Sequence, residues 1–172
     1  MGIKPQFTRN DIRKRFDAFL EEVERAEIEA LEKLGEECVT HARELPPEIG
    51  FHDRTGNLRS SIGYSVYKNG EAVRDYYFKS EGKEKEDGKP DIGGDALKKA
   101  KDLADRVGKE TKGIALVVVA GMEYAAALEA GGAWKIKSRR SYDVLASAEL
   151  LAERKLPKIL SELVEDINKS VK

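Results

Sequence analysis

No disulfide can form within this chain, because Cys38 is its only cysteine. A small domain stapled by disulfides is thereby excluded, and the expected setting is a reducing, intracellular compartment. Cys38 itself reads most simply as a small buried apolar residue. Nor does any run approach the ~20 apolar residues that cross a bilayer. The first ten residues are polar and contain Pro5, so neither a signal peptide nor a membrane anchor is expected. Lysine plus arginine number 31 and aspartate plus glutamate 32, which leaves no field of one sign to draw in nucleic acid or anionic lipid. Histidine is scarce, His41 and His52 only, so general acid–base chemistry has few agents. No segment recurs at a fixed spacing, which argues against repeat architectures.

What is present fits one domain spanning 1–172, long enough to bury a core without staples. Charged residues make up 37% of the chain, well above the globular average, and protruding helices would supply the surface to carry them. From Ile12 the apolar positions Phe16, Phe19, Val23, Ala26, Ala30, Leu34, Cys38 and Ala42 recur every three or four residues along one helix face, with Leu20 and Leu31 widening it. Thr8, Asn10 or Asp11 is a candidate cap, Gly35 a point of bending, and Pro46-Pro47 the stop. Such a helix is roughly 50 Å long, against about 40 Å for a compact domain of this size, so part of it should overhang. Residues 11–45 hold eleven acids and six bases, a balance best explained as a solvated face.

Ile62, Tyr64 and Val66 alternate with Gly63, Ser65 and Tyr67 before Asn69-Gly70, the φ > 0 pair of a tight hairpin. A two-residue loop there predicts Val66 opposite Val73 and Ile62 opposite Tyr77. Residues 1–10 and 80–94 read as a flexible terminus and a mobile loop. Asp95 is a candidate cap for a short helix through Leu97, Ala100, Leu103, Ala104 and Val107. The β-branched run Ile114–Ala120 suits a strand covered on both faces or central in its sheet. Tyr124–Leu128 reads as a further strand, though its alanines also allow helix. Residues 131–141 form an excursion, and Tyr142–Leu145 looks extended. Ser147 is the expected cap of a last helix striped by Leu151, Leu156, Ile159, Leu160, Leu163, Ile167 and Val171, which Pro157 should kink or restart. The predicted class is α+β: long N-terminal and C-terminal helices plus a short middle helix packed on one face of a mainly antiparallel sheet of about four strands.

The residues offer chemistry little support. Ser60 or Ser61 with His52 and Asp53 supplies the ingredients of a serine triad, without a Gly-x-Ser-x-Gly elbow or an evident oxyanion loop. Cys38 and His41 share a helix face as half of a zinc site, but only His52 remains to complete it. Gly108-Lys109-Glu110-Thr111 fails the phosphate-loop pattern, since 103 is Leu and 110 is Glu. A metal-dependent or serine hydrolase is therefore the weakest reading, and no catalytic residue, metal or cofactor is expected. Trp134, Lys135, Lys137, Arg139 and Arg140 form the one basic cluster, suited to touching phosphates or, more readily, an acidic protein surface such as the first helix of a neighbouring copy. A small nucleic-acid-associated protein using this patch is the alternative function.

Asp53-Arg54-Thr55-Gly56-Asn57-Leu58-Arg59-Ser60-Ser61-Ile62, following a long amphipathic helix, resembles the Asp-Thr-Gly-x-Leu-x-x-Ser-Ile signature of the tailed-bacteriophage tail-completion, head–tail connector family, whose members are also known as minor tail proteins. Tyr124-Ala125-Ala126-Ala127-Leu128-Glu129-Ala130-Gly131 is similar to that family's Tyr-Ala-x-x-Val-Glu-x-Gly. The resemblance implies a structural virion component of a phage or prophage, not an enzyme. It implies a homo-oligomeric ring, sixfold in order, between connector and tail tube, with DNA passing through the lumen without sequence-specific binding. It also places the protein in the virion neck or tail, and in the bacterial host cytoplasm before assembly. The motif residues Asp53, Thr55, Gly56, Leu58, Ser61, Ile62, Tyr124, Ala125, Glu129 and Gly131 read as architectural, shaping a turn and launching a strand.

Overall fold

The fold is known from a computed structural model, which describes residues 7–46, 48–51, 57–77, 93–130 and 142–170. The apolar stripe forms α1, Arg9–Glu44, capped by Thr8. The Thr8 hydroxyl accepts from the Asp11 N–H while the Asp11 carboxylate accepts from the Thr8 N–H, a reciprocal capping box. The helix thus starts inside the stretch expected to be a flexible terminus, and it passes Gly35 unbroken. Gly35 serves close packing: a Cβ there would lie 2.6 Å from the Tyr64 ring and 3.0 Å from Leu116.

A short helix α2, Asn57–Ser60, leads into β1, Ile62–Lys68, which turns through Asn69-Gly70 into β2, Glu71–Tyr77. Asn69 and Gly70 hold φ of 51° and 87°, the left-handed pair the turn requires. The predicted register survives only next to the turn, where Lys68 faces Glu71 and Tyr67 faces Ala72. A bulge then leaves Val73 without an opposite residue, so Val66 faces Arg74 and Gly63, not Ile62, faces Tyr77. Aromatic packing accounts for the slip: the bulge stacks Tyr64 on Tyr76 at 5.9 Å, and the Tyr77 ring lies over Gly63, where a Cβ would approach it to 2.2 Å.

Helix α3, Gly93–Gly108, begins two residues before Asp95 and so takes in Gly93 and Gly94, the last two positions of the expected loop; residues 80–92 lie outside the described residues. Strand β3, Ile114–Ala120, pairs antiparallel with β1, giving the order β2-β1-β3. Among the described residues β3 is therefore an edge strand. The central strand is β1, in which every residue from Ile62 to Tyr67 is buried. The described residues hold three strands, because Ala125–Glu129 is helix α4: three consecutive alanines favour helix, and no strand partner overrides them. Tyr142–Leu145 joins no ladder either.

The last helix, α5, runs Ala146–Ser170 continuously through Pro157. It packs on α1, and the two cover one face of the sheet through Leu34, Ile62, Tyr64, Val66, Leu116 and Leu156. The middle helix departs from expectation and lies on the opposite face. There Ala100 and Ala104 of α3 meet Val117 and Val119, and the Tyr67 hydroxyl donates to Asp105 at 2.8 Å. Covering on both faces explains why Ile114–Ala120 is apolar throughout although it sits at an edge.

Candidate functional site

The first motif meets the chain just ahead of the second at one end of the sheet, and Leu58 and Ile62 of the first share a core cluster with Ala125 of the second. Ser61 and Ile62 lead into β1, while Gly121 follows β3, and the Gly121 N–H donates to the Ser61 carbonyl at 3.0 Å. Gly121 is needed because a Cβ would come within 2.4 Å of the Ala100 backbone nitrogen of α3. Leu58, Ser61, Ile62 and Ala125 are buried, and the Ser61 hydroxyl donates to the Leu58 carbonyl at 2.8 Å, closing the α2 turn. This hydroxyl is spent on its own backbone. Arg43, near the end of α1, clamps the same turn by donating from Nε and Nη2 to the Arg59 carbonyl at 3.1 and 2.9 Å. Burial pushes the Arg43 pKa down from its usual value, the direction expected for a cation withdrawn from water.

Glu129 also has an architectural use that its sequence context did not disclose. Its Oε1 accepts from the Leu145 N–H at 2.9 Å and the Ala146 N–H at 2.6 Å, two of the donors a helix start leaves without intrahelical partners. The Asp143 carboxylate takes a third, the Ser147 N–H at 3.1 Å. Glu129 and Asp143, not Ser147, therefore cap α5, and they place negative charge at the positive end of its dipole. The Tyr142 N–H donates to the Leu128 carbonyl at 3.0 Å, tying α4 to the same junction. Tyr124 stands at the N-cap of α4. Asp53, Thr55, Gly56 and Gly131 lie outside the described residues, as do His52, Trp134, Lys135, Lys137, Arg139 and Arg140.

Released from capping, the Ser147 hydroxyl lies 2.8 Å from His41 Nε2. This is the nearest approach to a nucleophile–base pair among the described residues, and sequence reasoning missed it because 106 residues separate the partners. Acyl transfer also needs a group that orients the imidazole and donors for an oxyanion; the nearby carboxylate of Asp143 accepts from a backbone N–H instead. Cys38 is buried beside this pair and its thiol donates to the Ala148 carbonyl at 3.6 Å. Burial, with the Glu37 carboxylate adding to it, pushes the thiol pKa up, which disfavours the thiolate that a metal or an electrophile requires. No group of three or more His, Cys, Asp or Glu that could hold a metal occurs among the described residues.

Two concavities follow the outer edge of β3. One of about 470 Å³ is lined by Cys38, Val118, Leu145 and Ala148, the other of about 460 Å³ by Ala30, Leu34, Leu156 and Ile159. Both include Leu116 and Ala152, so they form one apolar trough. Its walls carry few polar groups, Glu27, Glu129 and Glu149, and among them Glu129 already caps α5. Nothing in this arrangement holds reacting groups together; it offers surface. No helix among the described residues is long and apolar enough to cross a membrane. Comparison of the chain with models of known families, with curated proteins and with solved structures returns no match.

Proposed function

We propose that this chain is a structural subunit of a tailed-phage or prophage neck or tail, completing the tail or joining it to the head as a homo-oligomeric ring between connector and tail tube. One observation carries the reading: Ser61 and Glu129, one from each family-like motif, spend side-chain oxygens on backbone groups of their own chain. Ser61 closes a turn and Glu129 caps a helix, which supports an architectural use for both. Such a subunit works by complementary faces, and heterologous contacts close into a ring when the rotation per subunit permits. The apolar edge of β3 and the exposed length of α1 supply faces of that kind.

The reading is tested by electron microscopy of the purified full chain at high concentration, alone and with a candidate connector protein. Rings of uniform diameter, formed alone or on the connector, are the expected result. Hydrolytic turnover lost on Ser61→Ala or Ser147→Ala would overturn it. So would tight DNA binding by the monomer with a steep salt dependence, which belongs to a nucleic-acid-binding protein.

A further inference from the structure

The Lys68 ammonium at the hairpin end of the sheet pairs with Glu24 of α1, so residues 9–23 run past the sheet as an arm, on the order of 20 Å long by the helical rise. The arm keeps an apolar stripe whose outer end nothing among the described residues covers: Ile12, Phe16 and Leu20 are 54%, 60% and 44% exposed. An isolated helix of this length is marginal in water. The spacing of the stripe changes along α1. From Ile12 through Phe16, Phe19, Val23 and Ala26 to Ala30 the steps alternate four and three, whereas from Ala30 through Leu34 and Cys38 to Ala42 each step is four. Alternating steps are the heptad of a two-helix seam.

Charge says which helix covers it. With Phe16 and Val23 at a and Ile12 and Phe19 at d, the flanking g positions are Arg15 and Glu22 and the flanking e positions Arg13, Leu20 and Glu27. Two copies laid antiparallel bring g against g, so Arg15 of each copy meets Glu22 of the other, twice per pair. A parallel pair sets g against e, bringing Glu22 of one copy against Glu27 of the other. The tip of the arm, Arg9 to Arg15, holds four bases and one acid, while Asp17 to Glu29 holds six acids and one base. Antiparallel pairing superposes these opposite blocks and parallel pairing superposes like on like. The one contact the structure gives Glu22 is loose, 3.9 Å to Arg25 with both side chains 67% exposed, and leaves it free to exchange partners.

We propose that the arm is a homodimerisation element: two copies pair through antiparallel α1 arms, with Ile12, Phe16, Phe19 and Leu20 in the seam and Arg15–Glu22 pairs fixing the direction. This is an isologous contact, separate from the heterologous contacts of a ring, and it does not rest on the ring reading.

Sedimentation of the full chain over a range of concentrations and salt tests it. The expected result is a monomer–dimer equilibrium that weakens as salt rises. Phe16→Asp should weaken it at least about a hundredfold, since two buried rings are lost per dimer. Arg15→Glu and Glu22→Arg should each weaken it about tenfold. The double variant R15E/E22R should regain the native affinity, and a mixture of the two single variants should form the mixed dimer. Circular dichroism should show all variants folded, because the arm lies beyond the packed core. A native chain that stays monomeric at every concentration, a dimer indifferent to Phe16→Asp, or failure of the double variant to recover would overturn the proposal. Rings that assemble equally well from Phe16→Asp, with no dimer in solution, would remove the arm contact and leave the ring reading intact.

Discussion

The two halves of α1 carry the same kind of amphipathic stripe and meet opposite fates. Past Leu34 the stripe is buried: Leu34, Cys38, Val39 and Ala42 pack on Tyr64, Leu116 and Ala148. Before Glu24 Phe19 and Val23 are only half-buried, and Ile12, Phe16 and Leu20 stand exposed, Phe16 by more than half. Periodicity therefore specifies that a face is made for covering, while the covering surface is set elsewhere, by where the sheet ends and α5 reaches.

Breaking the inner half should cost most. Leu34→Ala is expected to lower stability by about 2–5 kcal/mol, as large-to-small changes in packed cores do, whereas Phe16→Ala should stay within about 0.5 kcal/mol in the monomer; urea unfolding at low protein concentration measures both. Gly35→Val should follow at about 1–3 kcal/mol through overpacking, because its Cβ would press on the Tyr64 ring at 2.6 Å.

Of intermediate size is a pH effect confined to the packed half. Burial raises the Tyr64 phenol to about 12 and pushes Tyr67 and Tyr77 up as well, Tyr67 with help from its bond to Asp105. In the unfolded chain these phenols ionise near 10. As pH climbs past that value the unfolded state sheds protons first, so the stabilisation is complete below pH 10 and lost between 10 and about 12. Phenolate absorbance followed beside unfolding midpoints should show the midpoints falling as the absorbance rises, and Phe16→Ala should leave both curves unmoved.

Smaller still, Glu129→Ala removes a cap from α5 and should cost about 1–2 kcal/mol, with Glu129→Gln recovering part of it by keeping an acceptor. Least is Thr8→Ala. It should fray the first turn of the arm, seen as lost helical signal, with an effect under about 1 kcal/mol on unfolding.

Much of this fold was legible in the sequence where a local pattern had a local cause. The stripe of α1, the Asn69-Gly70 turn and the Thr8 cap each follow from residues within a few positions of one another. What depended on distant partners was not legible. The bulge at Val73 arises from tyrosines stacking across strands, and α3 crosses to the far face because Gly108 and Tyr67 fit together, the ring lying 2.3 Å from where a Cβ would stand. Ser147 looked like a cap and yielded that task to Glu129, 17 and 16 residues before the two N–H groups it holds. At the motifs, the backbone bonds of Ser61 and Glu129 were not legible from residue type, because each depends on the fold of its own turn or junction. The bond from Gly121 to Ser61, which sets the end of β3 beside the start of β1, needed the sheet register.

Gly35 has one more effect. A rod resting on a flat sheet could slide by a turn at small cost, but this rod has a single notch, and the Tyr64 ring sits in it like a pin. Moving the helix either way would drive a side chain with a Cβ onto that ring. The notch thus acts as a ruler: the reach of the arm is metered by the count of residues from Arg9 to Gly35, and adding or deleting one helical turn before the notch would lengthen or shorten the projection without disturbing the body beneath it.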